Sequence, residues 1–414
     1  MNPELALSEI RPVKEAIEDE LLQRDGVIGV DIGYKEIGGR RTSELAIRVL
    51  VVEKRDVSAS ERIPTAIEGI RTDVIQRGSI AFDTGDVDWP CNTMSGDTAR
   101  YDPLVGGCSI GTCGAGLGSG TLATFVRDMA TDQIMILSCW HVLVAGDSRN
   151  LPIAQPSPND NGICPNDVIG QVVRSQINES VDCAVGFWNG VRPINERYVR
   201  GIGSIGSPTR AGLGDRVKKS GRTSGITYGD VDTVDLTYRL QTAGVDRVFR
   251  QQIGVWRAWG VNETFSCPGD SGSLVLKNYF QPVGMLIGSS RGNPFFPDGA
   301  YSVVTPIHAV LQAMNVRIHV PKGKEHKDKD KDDAIEKISI EAQLLNSRFD
   351  SAAAATEVVA GPQGPLEARL AQLEAAVDEL QHFIRRADRP DVSRATLGQQ
   401  PGASRAPHVD DTDT

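Results

Sequence analysis

The chain has 414 residues, 40% of them hydrophobic and 24% charged, with a formal net charge of -10. That composition belongs to a globular chain long enough for two or three domains, and the acidic balance excludes a general nucleic-acid binder, which needs a basic face. No apolar run approaches the ~18 residues of a membrane span, so no membrane partner is expected.

The first residues, MNPELALSEIRPVKEAIEDELL, are acidic and amphipathic. They predict a helix over 1–24 and lack the basic-then-apolar order of a secretory signal. Residues 25–90 read as a small α+β domain. GVIGVDIGYKEIGG and ELAIRVLVVEK are strand runs rich in Val and Ile, joined through Gly38-Gly39 as in a hairpin, and TDVIQR is a further strand. From 105 to 320 short apolar runs recur between Gly, Asn, Asp and Pro, with no long helical pattern, which predicts an antiparallel sandwich or barrel. The glycine-rich LVGGCSIGTCGAGLGSGTL inside it lacks the helix and the acid of a dinucleotide loop, and reads as the start of a barrel strand.

Residues 321–335, which include KGKEHKDKDKDD, form a charged, solvated linker. A helical segment is expected over 336–360, ended by AGPQGP, because Gly and Pro are poor in helix interiors. Leu366, Leu370, Leu373, Val377, Leu380 and Ile384 then alternate at heptad spacing. That predicts a coiled coil over 364–388, which would dimerise, dock a partner or pack on its own protein. Residues 389–414 read as a disordered tail. The seven cysteines, Cys91, Cys108, Cys113, Cys139, Cys164, Cys183 and Cys267, are an odd, scattered count with no C-x2-C pair. They read as reduced thiols rather than a disulfide framework or a metal site; with no secretory signal and no membrane span, the chain is expected in the cytoplasm.

The stretch FSCPGDSGSLVL sets Ser271 in a glycine-flanked bend beside Asp270. Such a bend is either an ordinary turn or the seat of a nucleophile, which needs a base to take its proton. His141, in LSCWHVLV, is the one histidine before position 308 and has the chemistry of a general base. Asp182, in SVDCAVGFW, is a lone acid at the start of an apolar run, costly to bury unless paired. A carboxylate there suits the third role, holding an imidazole in the right tautomer. The order His, Asp, Ser on a β background is one of three known triad orders. GDSGS lacks the last glycine of the α/β-hydrolase elbow.

These motifs, with PVGMLIG after the serine, resemble those of the chymotrypsin-like (trypsin-like) serine peptidases over 105–320. The resemblance implies a mostly β fold with a double antiparallel β-barrel and a serine endopeptidase acting on protein or peptide substrates without metal or cofactor. His141 would be base and then acid, Asp182 the orienting acid and Ser271 the nucleophile, with the N–H groups of Gly269 and Ser271 as oxyanion hole. KKSGRTSGITYGDV resembles a hairpin of secreted bacterial members, which implies that Arg222 pairs with Asp270 and replaces activation cleavage. Phe265 stands six before Ser271, where trypsins carry an acid. A medium apolar side chain is therefore the expected preference, with Phe265, Ile287 and Ser289 near the pocket. Val142 replaces the usual cysteine after the histidine, in keeping with a disulfide-free version. The N-terminal unit is similar to that of bacterial trypsin-like proteins related to the plant narrow-leaf family, which implies an intracellular regulated peptidase. The alternatives are a weak or inactive peptidase fold that binds partners through its coiled coil, and an esterase using the same three residues.

Overall fold

The computed structural model describes residues 3–38, 40–83, 96–114, 118–144, 151–242, 245–278, 280–293 and 295–320. The linker, helical segment, coiled coil with its 366–384 stripe, and tail expected over 321–414 lie outside the described residues.

Helix α1 (Pro3–Leu22) leads into the strands β1 (Val27–Ile37), β2 (Arg40–Val51), β3 (Ala66–Ile67), β4 (Ile70–Gln76) and β5 (Ser79–Phe82). The Val/Ile runs make the expected hairpin, since Ile32 faces Ile47 across β1 and β2 and Gly38 turns at φ +58°. β4 then pairs parallel to β2. Leu7, Ile10 and Leu21 of α1 lie on one helical face and pack on Val30, Ile32, Ile47 and Val49. Lys14 is buried on that same face, and its ammonium is matched by Glu18 at 2.6 Å and Asp235 at 3.1 Å, because a buried charge is tolerated only when paired.

The first lobe follows: β6 (Leu104–Gly106), β7 (Ser109–Thr112), β8 (Gly120–Thr121), β9 (Thr124–Asp128), β10 (Ile134–Ser138), the one-turn α2 (Trp140–Leu143), β11 (Pro152–Ala154), β12 (Val168–Ile177), β13 (Asp182–Trp188), β14 (Ile194–Val199) and β15 (Gly203–Ser204). The second lobe holds β16 (Arg216–Gly221), β17 (Gly225–Thr242), β18 (Val245–Arg257), β19 (Leu274–Lys277), β20 (Gln281–Arg291) and β21 (Tyr301–Pro306). Helix α3 (Ile307–Ala313) and β22 (Val316–Arg317) return the chain to the first lobe, where β22 pairs with β9.

The strand order explains the shape of each lobe. In the second, β16-β19-β20-β21-β18-β17 is closed by the additional β16–β17 pairing into a six-stranded antiparallel barrel. In the first, eight strands run β22-β9-β10-β13-β12-β11-β7-β8. The mostly β architecture with two lobes of antiparallel strands expected from the sequence is thus observed, with barrel closure in the second lobe.

One feature of the second lobe reaches beyond the barrel. β17 is 18 residues long and β18 is 13. The barrel half of β17 pairs with β16, and its far half pairs with β1, Gly29 facing Tyr238. The N-terminal hairpin therefore continues the sheet of the second lobe. Arg48 of β2 seals the join, bonding Asp31 at 2.7 Å and Asp232 of β17 at 2.8 Å with all three side chains buried. Gly33 is required beside it, because a Cβ there would fall 2.2 Å from the guanidinium carbon.

Candidate active site

β10 and β13 are antiparallel neighbours with Ser138 facing Ala184. The end of one strand therefore meets the start of the other. His141 sits in the turn of helix just after β10, and Asp182 opens β13. His141 Nδ1 lies 2.5 Å from Asp182 Oδ2, and the His141 backbone N–H donates to Asp182 Oδ1 at 3.2 Å. Both side chains are buried, and His141 Nε2 has no hydrogen-bond partner among the described residues. One nitrogen is held by the acid and the other is left for a reacting proton.

Ser271 comes from the second lobe, in the bend that precedes β19. Gly269 and Gly272 flank it at φ +97° and +94°, left-handed values that favour glycine. Space requires glycine too, since a Cβ on Gly269 would lie 2.4 Å from Thr223 Oγ1 and one on Gly272 2.2 Å from the Thr121 carbonyl. The first lobe braces this bend. Thr121 N–H donates to the Ser271 carbonyl at 2.8 Å, and Thr121 Oγ1 to the Gly269 carbonyl at 2.9 Å. Gly120 lies between the two functional segments, for a Cβ there would fall 2.5 Å from Val142 and 3.0 Å from the Ser271 carbonyl. The segments that carry His141 and Ser271 thus meet where the two lobes join. The Ser271 hydroxyl itself donates to the Ile287 carbonyl at 3.0 Å.

The acid beside the serine has a different partner from the one expected. Asp270 is ion-paired with Lys219 at 2.9 Å, both fully buried, and accepts from the N–H groups of Thr223, Ser224 and Cys267. Arg222 pairs instead with Asp160 of the first lobe. The reason is strand alternation. Lys219 and Gly221 lie on the face of β16 turned to Asp270, where a Cβ on Gly221 would meet Asp270 Oδ1 at 2.3 Å. Arg222 lies beyond the end of β16, in the turn, and reaches Asp160 instead. Burial pushes the Asp270 carboxyl up, but the Lys219 charge and the Ser224 hydrogen bonds outweigh it and hold the group below the usual carboxylate range.

The expected pocket residues part ways. Ser289 is buried, and its hydroxyl donates to Asp83 Oδ1 at 2.6 Å. Phe265 packs in the second-lobe core with Val217, Val255 and Val275, and Ile287 packs in the inter-lobe core while its carbonyl receives Ser271. Sequence reasoning missed Ser266, whose hydroxyl donates to Asp83 Oδ2 at 2.7 Å and meets Ser302 Oγ at 2.8 Å. It missed Thr121, Lys219 and the segment 79–83 as well. Ser266 stands five before Ser271 in the quoted stretch, which was the one available signal. Burial pushes the Asp83 carboxyl above the usual carboxylate range, against the Ser289 and Ser266 hydrogen bonds.

Cys139 Sγ lies within 4.8 Å of the ligating atoms of His141 and Asp182. Burial pushes its thiol well above the ordinary value and it donates to the Leu286 carbonyl. The reduced-thiol expectation is corrected: Cys113 and Cys164 form a disulfide with Cα atoms 6.1 Å apart, and Cys267 is disulfide-bonded. Neighbouring strands β7, β11 and β12 bring Cys113 and Cys164 together across 51 residues of sequence, a pairing that local spacing does not announce. Disulfides persist in oxidising compartments, against the reduced-thiol reading of the seven cysteines. No helix among the described residues is long and apolar enough to cross a membrane.

No family model matches the chain, and no curated protein matches it. Among solved structures it is similar to Thermobifida fusca protease A, at 16% identity and TM-score 0.39 over 53% of this chain and 100% of that one. A glutamic acid specific serine protease is similar at 20% identity and TM-score 0.39, over 52% of this chain and 100% of that one. Cellulomonas bogoriensis chymotrypsin is similar at 17% identity and TM-score 0.38, over 53% of this chain and 100% of that one.

Proposed function

We propose that the chain is a serine endopeptidase that hydrolyses peptide bonds of protein substrates through an acyl-enzyme on Ser271. What supports this reading is a buried imidazole bonded to Asp182 at 2.5 Å, its far nitrogen unpartnered among the described residues, together with a serine set in a bend with glycines at positive φ on both sides.

Each residue has a physical task. Asp182 fixes the tautomer of His141, so that Nε2 accepts a proton, and stabilises the imidazolium that results. The Ser271 hydroxyl turns from the Ile287 carbonyl to His141 and attacks the substrate carbonyl; hydrogen bonds of this kind tighten once substrate is bound. The negative charge that develops on the oxygen falls to the N–H groups of Gly269 and Ser271, and one such donor is worth roughly 10²–10³ in rate. His141 then passes its proton to the leaving amine, and water releases the acyl group by the reverse path. Lys219 keeps Asp270 charged and fixed, which sets the bend.

The bond from Ser271 to Ile287 favours a second reading, a peptidase fold that binds partners without turning them over. Cleavage of an unfolded protein mixture separates the two. The wild-type chain should generate new amino termini, and Ser271→Ala and His141→Ala should generate none above background. Identical termini from all three proteins, or none from any, would leave the binding reading standing.

A further inference from the structure

A short strand of the chain itself lies against His141 and Gly269. β5 lies antiparallel on the last residues of β20, with Phe82 facing Gly288, Ala81 facing Ser289, Ile80 facing Ser290 and Ser79 facing Arg291. β20 is otherwise complete on its barrel side, where it pairs with β19 and β21. Gly288 permits the close approach, because a Cβ there would come 2.3 Å from the Ala81 carbonyl. The Phe82 ring stacks on the His141 imidazole with centroids 4.1 Å apart and planes at 15°.

The next residue reaches the centre of the site. The Asp83 carbonyl accepts the Gly269 N–H at 2.7 Å, the same donor assigned above to the oxyanion. Its side chain is fully buried in a pocket where the Ser266 and Ser289 hydroxyls each donate to one carboxylate oxygen. Arg291, which donates to the Phe82 carbonyl at 2.7 Å, adds positive charge beside the carboxylate. Two hydroxyl donors on two oxygens suit an acceptor-only group. An apolar side chain would leave the buried Ser289 hydroxyl without its partner and Ser266 with Ser302 alone, a loss of roughly 10- to 100-fold.

We infer that Ser79–Asp83 lies against this site as a substrate strand, that the enzyme cuts after acidic residues, and that the bond following Asp83 is its own cleavage site. The inference rests on the peptidase reading and names its substrate class. It replaces the medium apolar preference expected from Phe265, which faces the barrel core rather than the pocket.

The step balances with water alone. Ser271 Oγ bonds the Asp83 carbonyl carbon and gives its proton to His141. The carbon–nitrogen bond to Thr84 breaks, and the Thr84 amine takes that proton. Water, deprotonated by His141, then attacks the ester. Asp83 leaves with a carboxylate terminus and Ser271 recovers its hydrogen. Until the strand leaves, an outside substrate competes with it for β20.

The test uses the full chain and two readouts. Purified wild-type chain is incubated, and its amino termini are sequenced beside those of Ser271→Ala and Asp83→Ala. In parallel, the wild type is offered chromogenic peptides that differ only in the residue before the scissile bond: Asp, Glu, Asn, Leu or Lys. The prediction is a new terminus at Thr84 in the wild type alone, and a preference of roughly 10- to 100-fold for Asp or Glu over Leu. The peptide series does not depend on the folding of any variant. A chain that stays intact after Asp83, or a Leu or Lys peptide cut faster than the acidic ones, overturns the inference while the peptidase reading stands. No hydrolysis of any peptide or of the chain overturns both.

Discussion

Lys219 and Arg222 are three positions apart and serve different lobes. Lys219 is the buried counter-charge of Asp270, whereas Arg222 ties the hairpin turn to Asp160 of the first lobe. Removing one member of a buried pair leaves an uncompensated charge and typically costs about 3–5 kcal/mol. Lys219→Ala should therefore lower stability by about that much in denaturant unfolding, and more than Arg222→Ala, whose side chain is partly exposed. Equal losses for the two variants would show that Asp270 does not depend on Lys219. The sequence singles out His141, Asp182 and Ser271 as candidates because each chemistry-bearing residue sits in a distinctive local context: a lone acid opening an apolar run, a histidine ending one, a serine between glycines. The partner of Asp270 was not legible there, since the resemblance supplied a family habit and only the strand register decides which side chain of KKSGR faces inward. Ser266 was hidden by its commonness, as a serine in a turn carries no signal until something is seen bound to it.

At the scale of elements, β5 is four residues long and does the most unexpected work. SIAF offers no periodicity and lies between a hairpin unit and a proline-containing connector, so nothing local separates it from loop. Its place depends on a long-range contact with β20. The docked Asp83 gives that contact a pH dependence. Burial raises the docked carboxyl above its unperturbed value of about 3.9; the Asp270 carboxylate pushes the same way, while the Ser289 and Ser266 hydroxyls and the Arg291 guanidinium oppose it. A group whose value is raised on docking binds its proton more tightly in the docked state. Its contribution to docking is full below the ordinary carboxyl value and is lost as pH rises through the docked one. Hydrogen exchange on the uncut Ser271→Ala chain, corrected for intrinsic rates, should show Ile80–Phe82 amides better protected at the acid end of that window. Protection that is flat or that grows with pH would contradict this. The Val/Ile strands, by contrast, were readable from composition alone. The extra length of β17 was not, because its far half looks like any other β run until β1 is found beside it.

For the whole molecule, the two lobes were predictable from the many short strands, and the continuity of the N-terminal hairpin with the second lobe was not. That continuity rests on Arg48, Asp31 and Asp232, whose pairing spans distant parts of the sequence. The Cys113–Cys164 disulfide was equally invisible to spacing. It closes a sequence separation of 51 residues, which in the chain-entropy account stabilises the fold by about 4 kcal/mol. Reductant should lower the unfolding midpoint accordingly, and an unchanged midpoint with the thiols shown to be free would refute that contribution. The central claim is that a hydroxyl of the second lobe is activated by an imidazole of the first. Its most direct measurement is peptide mapping after prolonged exposure to a fluorophosphonate at concentrations that outcompete the docked strand. The account predicts an adduct on Ser271 in the wild type and a labelling rate reduced by about 10³-fold or more in His141→Ala. No adduct on Ser271, or the same rate in both proteins, would contradict it.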